Sequence, residues 1–217
     1  MKEGFLTLRP CEARYEDRKS VFLAMGARAD SESDALDLLE KRRVQMPDAS
    51  HHIYAWRLGM PSAPRERFSD DREPKGTAGL PALYAMRGAG VTSAVIIVTR
   101  YFGGALLGTG GLTRAYGAAA KLICKPQNII GMKWCGRVLI TIDYVFLGKA
   151  QYYIAQRNYH VESIEYADNV RLTLVIWAEE TESLSRSVAD ITSGAATVET
   201  VDEFYHHLEN DTDSGIV

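Results

Sequence analysis

Apolar and polar positions alternate, repeat at helical spacing or fall in unbroken runs along the chain, and each pattern predicts an element. Residues 20–28 predict a strand. Ser31 follows with Asp34 three positions on, the pairing that caps a helix start, and Ala35, Leu38 and Leu39 form the apolar face of that helix. His52 to Leu58 predicts a second strand. Gly59 to Pro74 holds three prolines and many charges and predicts an exposed loop. Thr77 to Gly88 predicts a helix, with Thr77 as N-cap and Pro81 in the first turn. Ala94 to Thr99 is β-branched and apolar at every position but its end, the pattern of a strand covered on both faces in the middle of a sheet. Arg100 to Gly111 predicts a glycine-rich loop. Leu112 to Lys125 predicts a helix with Leu112, Tyr116, Ala119 and Ile123 on one side, stopped by Pro126-Gln127-Asn128.

A second pattern begins near Arg137. A strand over Val138–Val145, a helix over Leu147–Asn158, strands over His160–Tyr166 and Val170–Ala178 turning at Asp168-Asn169, a helix over Thr181–Thr192 and a strand over Ala196–Phe204 make a βαββαβ order, that of a ferredoxin-like unit. The expected organisation is an α+β chain: an N-terminal domain over 1–136, a ferredoxin-like domain over 137–208, and a polar tail over 209–217.

Composition changes little at first. The chain has 217 residues, 46% of them apolar and 24% charged, which excludes a disordered or collagen-like chain. Three cysteines, Cys11, Cys124 and Cys135, without C-x-x-C spacing, argue against a disulfide framework or zinc finger and fit a reducing, cytoplasmic setting. The first residues lack the apolar core of a signal peptide, and Ala94–Val98 is too short to cross a bilayer, so no membrane partner is expected.

Charge alters the picture once it is divided. The formal net charge is −3, but residues 1–136 carry 20 Lys+Arg against 14 Asp+Glu, a net of +6, and the remainder carries 5 against 14, a net of −9. Between Glu73 and Asp143 there is no acid, where even spacing of the chain's 28 would place about nine. The bases in that stretch surround the glycine-rich segment Thr99–Gly117. A buried strand ends there and a helix begins, where free N–H groups and the positive end of the helix dipole attract anions. Candidate anion or nucleic-acid contacts are Arg100, Tyr101, Phe102, Gly103, Gly104, Gly108, Thr109, Gly110, Gly111 and Arg114, with Thr77 at the neighbouring helix start. Glycines let a backbone come close to a phosphate, arginines offer forked donors, and the aromatic pair can stack on bases. The segment matches neither a P-loop nor a dinucleotide fingerprint, since Thr109 stands where the first needs Lys and Thr113 where the second needs Gly. No cofactor is expected. Asp70, Asp71 and Glu73 are weak candidates for a metal ion, and His51, Asp71 and Glu73 for acid/base groups if the protein is an enzyme.

The motifs Asp70-Asp71-Arg72-Glu73-Pro74-Lys75-Gly76-Thr77-Ala78-Gly79-Leu80-Pro81, Arg100-Tyr101-Phe102-Gly103-Gly104, Leu107-Gly108-Thr109-Gly110-Gly111-Leu112 and Arg114-Ala115-Tyr116-Gly117, with Lys19-Ser20-x-Phe22 and Asp48-Ala49-x-His51, resemble those of the YigZ/IMPACT family. The resemblance spans the chain in outline. It implies an N-terminal domain similar to domain IV of elongation factor G, of the ribosomal-protein kind, and a C-terminal domain similar to domain V. Eukaryotic relatives resemble translation regulators that bind the activator of a starvation-sensing kinase. Arg72 departs from the family's usual glycine, and Leu106 from its usual lysine. The expectation is a non-catalytic, translation-linked regulatory or RNA/ribosome-binding protein, or one that partners a translation-regulating protein. The glycine loop is also expected to hold a phosphate or sulfate. The alternative is an enzyme or binding protein for a small phosphorylated metabolite or nucleotide held by the same loop.

Overall fold

A computed structural model describes residues 2–207. The chain divides into two compact units, Phe5–Gly131 and a second formed by Met132 onward together with the first four residues. The boundary expected after Gly136 lies within a strand, β7 (Ile129–Ile142), that runs from one unit into the other. The expected tail over 209–217 lies outside the described residues.

In the first unit, β2 (Cys11–Asp17), β3 (Ser20–Arg28), β6 (Ala94–Tyr101), β4 (His51–Leu58) and β5 (Arg65–Ser69) form an antiparallel sheet in that order, preceded by the short β1 (Phe5–Leu8). β6 is the central strand, and its apolar run serves two cores. Ile96 and Val98 pack under α2 (Gly79–Gly88) and α3 (Gly108–Ile123), while Val95 and Ile97 pack under α1 (Glu32–Gln45). The Ser31–Asp34 capping box forms at the start of α1 as its sequence predicts.

Three expectations are corrected. Gly59–Pro74 is not all loop, because Arg65–Ser69 pairs with β4 as an edge strand whose polar residues face water. Thr77 does not cap α2, which starts two residues later. The Thr77 hydroxyl donates to the Pro74 carbonyl at 2.6 Å, and the free N–H groups of Gly76, Ala78 and Gly79 are taken by the Asp70 carboxylate at 2.7–3.0 Å. Finally, Gly108 to Gly111 form the first turn of α3, so the glycine-rich loop ends at Leu107.

The second unit takes β7, α4 (Leu147–Gln156), β8 (His160–Tyr166), β9 (Val170–Trp177), α5 (Thr181–Thr192) and β10 (Thr197–His206). β10 and β9 flank β7 and β8 pairs with β9, all antiparallel, which is the ferredoxin-like arrangement. Val138, Ile140, Leu172 and Leu174 meet Ile154, Leu184 and Val188 in its core.

Candidate functional site

Strand register builds the site. His51 on β4 and Phe22 on β3 are both paired with Arg100 on β6, so the three side chains share one sheet face, the face that carries α2 and α3. The next residue along each strand faces the other way. His52 therefore leaves the site: Nδ1 lies 3.0 Å from the Thr99 hydroxyl and Nε2 lies 3.1 Å from the Met46 carbonyl beyond α1. A carbonyl only accepts, so Nε2 carries the proton and Nδ1 accepts from Thr99. Burial, the larger effect, lowers the His52 pKa below the ordinary histidine value. Two histidines adjacent in sequence thus divide into one site residue and one structural residue.

Glu73 is the centre of the site. Only 8% exposed, it accepts on Oε1 from Arg100 Nη1 at 2.6 Å and from the Tyr116 hydroxyl at 2.7 Å, and His51 Nε2 stands 3.7 Å away. Arg100 is 5% exposed, gives a second donor to Ser20 Oγ at 3.3 Å, and lies 5.5 Å from the ring centres of both Phe22 and Phe102. Burial and the Glu73 carboxylate together push the Tyr116 phenol far above its ordinary pKa, so it remains a donor. Pairing, rather than exposure, makes these charges tolerable in the interior.

The other loop acids diverge from Glu73. Asp70 caps α2, and Asp71 accepts the His52 backbone N–H at 2.6 Å while its carbonyl faces His51 Nδ1 at 2.8 Å. The carboxylates of Asp70, Asp71 and Glu73 thus serve three different elements. Among the described residues no cluster of His, Cys, Asp and Glu is arranged to hold a metal ion.

Gly103 is fixed by contact: a Cβ there would stand 2.1 Å from the Lys19 carbonyl carbon, while its N–H donates to Ser20 Oγ at 3.2 Å. This ties the loop to the β2–β3 turn. Gly104, at φ +83°, uses the left-handed region. The Phe102 N–H donates to Ser50 Oγ, and the Tyr101 hydroxyl donates to Asp48 at 3.1 Å. Phe102 is half-exposed, Leu106 is 84% exposed, and Gly108, Thr109, Gly110 and Arg114 face solvent, whereas Gly111 is buried against Leu107. A cleft of about 530 Å³ lies between the loop, the start of α3, Pro74, Ser50 and the His51–Glu73–Arg100 floor. Thr77 and Tyr101 do not line it.

The structure therefore joins His51, Glu73, Arg100, Phe102, Gly108 and Thr109 in one cleft and turns Asp70, Asp71 and Tyr101 to structural bonds. Tyr116 was missed by sequence reasoning, because its helical spacing marked it as an apolar core position. Its hydroxyl, which needs a partner once buried, was the available signal.

Comparison with known proteins identifies relatives of the chain. Residues 18–124 match the Impact N-terminal domain, and residues 140–195 match a domain of unknown function, DUF1949. The chain is 31% identical to IMPACT family member YigZ of Escherichia coli over 94% of this chain and all of that one. It is 31% identical to the protein IMPACT homolog of Saccharomyces cerevisiae over 42% of this chain and 36% of that one. A crystal structure of a hypothetical protein, 30% identical, covers 93% of this chain and 99% of its own with a TM-score of 0.61. A relative matched end to end at this identity settles the family: the chain belongs to the IMPACT family.

Proposed function

We propose that the protein is a non-catalytic, translation-linked regulatory module whose N-terminal unit contacts RNA phosphates, on the ribosome or off it, through the exposed rim of the cleft. The observation that carries this reading is an imbalance of unpaired charge. The acids of the loop before α2, Asp70, Asp71 and Glu73, are taken up by backbone N–H groups, Arg100 and Tyr116. Arg114 and Lys19 face solvent, and no ion pair holds either of them among the described residues. The half-exposed ring of Phe102 lines the cleft. Cations free to meet phosphate beside an aromatic face are the usual composition of a single-strand binding surface. Family membership supports a link to translation, through the resemblance of eukaryotic members to regulators of that process. Arg100, buried in its ion pair, supports the floor and is not itself the phosphate contact.

The test is co-sedimentation of the full chain with ribosomes, and its binding to a labelled single-stranded RNA. Arg114→Glu is expected to weaken both by about tenfold, because one phosphate contact becomes a repulsion. Unchanged binding would sink the reading.

A further inference from the structure

We infer that the cleft of the N-terminal unit is a nucleobase pocket, in which a base stacks on Phe102 and donates an amino or ring N–H to the Glu73 carboxylate; this rests on the RNA reading above and names the part of the strand that enters. The floor has an uneven hydrogen-bonding capacity. Glu73 Oε1 already accepts two bonds, but Oε2 accepts none among the described residues and is not sealed from solvent. His51 Nδ1 faces a carbonyl and so donates. The donors of the floor are partly used. Arg100 gives its Nη atoms to Glu73 and Ser20, its Nε is shut off from solvent, and the Tyr116 hydroxyl is committed to Glu73.

Glu73 Oε2 is the open acceptor of the floor and selects a ligand group that donates, while the hydroxyls of Ser50 and Thr109 and the first N–H groups of α3 stand on the walls. The Glu73 carboxylate disfavours a phosphate on the floor itself, where it would set acceptor against acceptor. It gives little to a cation, because Arg100 already balances Glu73. The walls, Pro74, Phe102, Leu106, Leu107 and Leu112, are apolar, and the volume of about 530 Å³ suits a ligand of nucleotide size. A neutral, flat ring with N–H on its edge is what such a space receives, and adenine, guanine and cytosine carry that edge. The backbone phosphates then lie outward, toward the exposed first turn of α3.

The experiment is fluorescence anisotropy of the full chain with equal-length labelled oligo(rA) and an abasic ribose-phosphate strand, with AMP as competitor. Oligo(rA) is expected to bind about tenfold more tightly than the abasic strand, the scale of one stacked base. Phe102→Ala, a change at a half-exposed side chain whose folding is checked by circular dichroism, is expected to erase that difference. Equal binding of the two strands by the wild-type protein overturns the pocket and leaves the RNA reading standing. Binding of AMP with no binding of either strand overturns the RNA reading and keeps the pocket, assigning it to a free nucleotide. Where both bind, displacement of oligo(rA) by AMP at matched nucleotide concentration assigns the pocket to the free nucleotide, and displacement only at large excess assigns it to the strand. Binding of neither strand nor AMP overturns both.

Discussion

Position 72 carries an arginine at φ +69°, following Asp71 at φ +42°. L-residues pay for this conformation and glycine does not, which gives a physical reason for the glycine that the family usually places there. The Arg72 side chain is exposed and its one ion pair, to Asp71, is long at 3.9 Å, so little offsets the strain. Arg72→Gly is expected to raise stability by about 0.5–1 kcal/mol in chemical denaturation; a loss would mean the arginine has a supporting contact. His52 yields a pH prediction. Its folded pKa lies below the ordinary value near 6.5, so the unfolded chain binds the proton more readily. The stability that neutral His52 provides is complete above about pH 6.5 and declines as pH falls below it. His52→Gln should flatten the fall in melting temperature over that range, and an unchanged slope would remove His52 as a cause. The sequence made the charges of this region visible but not their pairing. The acid-free stretch begins just after Glu73, so its edge concealed the carboxylate that Arg100 meets 27 residues away.

Elements were legible wherever their pattern was strong and local. The two-faced apolar run of β6 and the capping box of α1 needed no tertiary information. β2 alternates Cys11, Ala13 and Tyr15 with Glu12, Arg14 and Glu16, a signal that was present but carried no large apolar residue to mark a core strand. β5 was hidden by its charges, as edge strands are. The start of α2 could not be found locally, because its cap, Asp70, sits eight and nine residues before the N–H groups it serves. The glycines of the segment after β6 likewise concealed two roles: Gly103 is set by close approach, and Gly108 begins a helix. Gly103→Ala is expected to cost about 2–3 kcal/mol, since the obstacle is Lys19 backbone and must move. Thermal denaturation measures the cost, and a change under about 0.5 kcal/mol would show that the loop is not anchored at the β2–β3 turn.

At the scale of the whole molecule, a near-neutral total conceals a basic and an acidic part. The ferredoxin-like order of the second unit was legible because its strands and helices are short, amphipathic and separated by clear turns. The first unit was legible only in part, since its sheet order follows from pairings between strands far apart in sequence. No described helix is long and apolar enough to cross a membrane. Within the net of +6 over residues 1–136, Arg100 is removed from the surface by its ion pair, while Arg114 and Lys19 remain on it. The measurement that decides whether this surface is used is the affinity of the full chain for single-stranded RNA as a function of salt, for wild type and Arg114→Glu. The account predicts a linear loss of log affinity with log salt in the wild type and a slope smaller by about one in the variant. Salt-independent binding, or identical slopes for the two proteins, would contradict it.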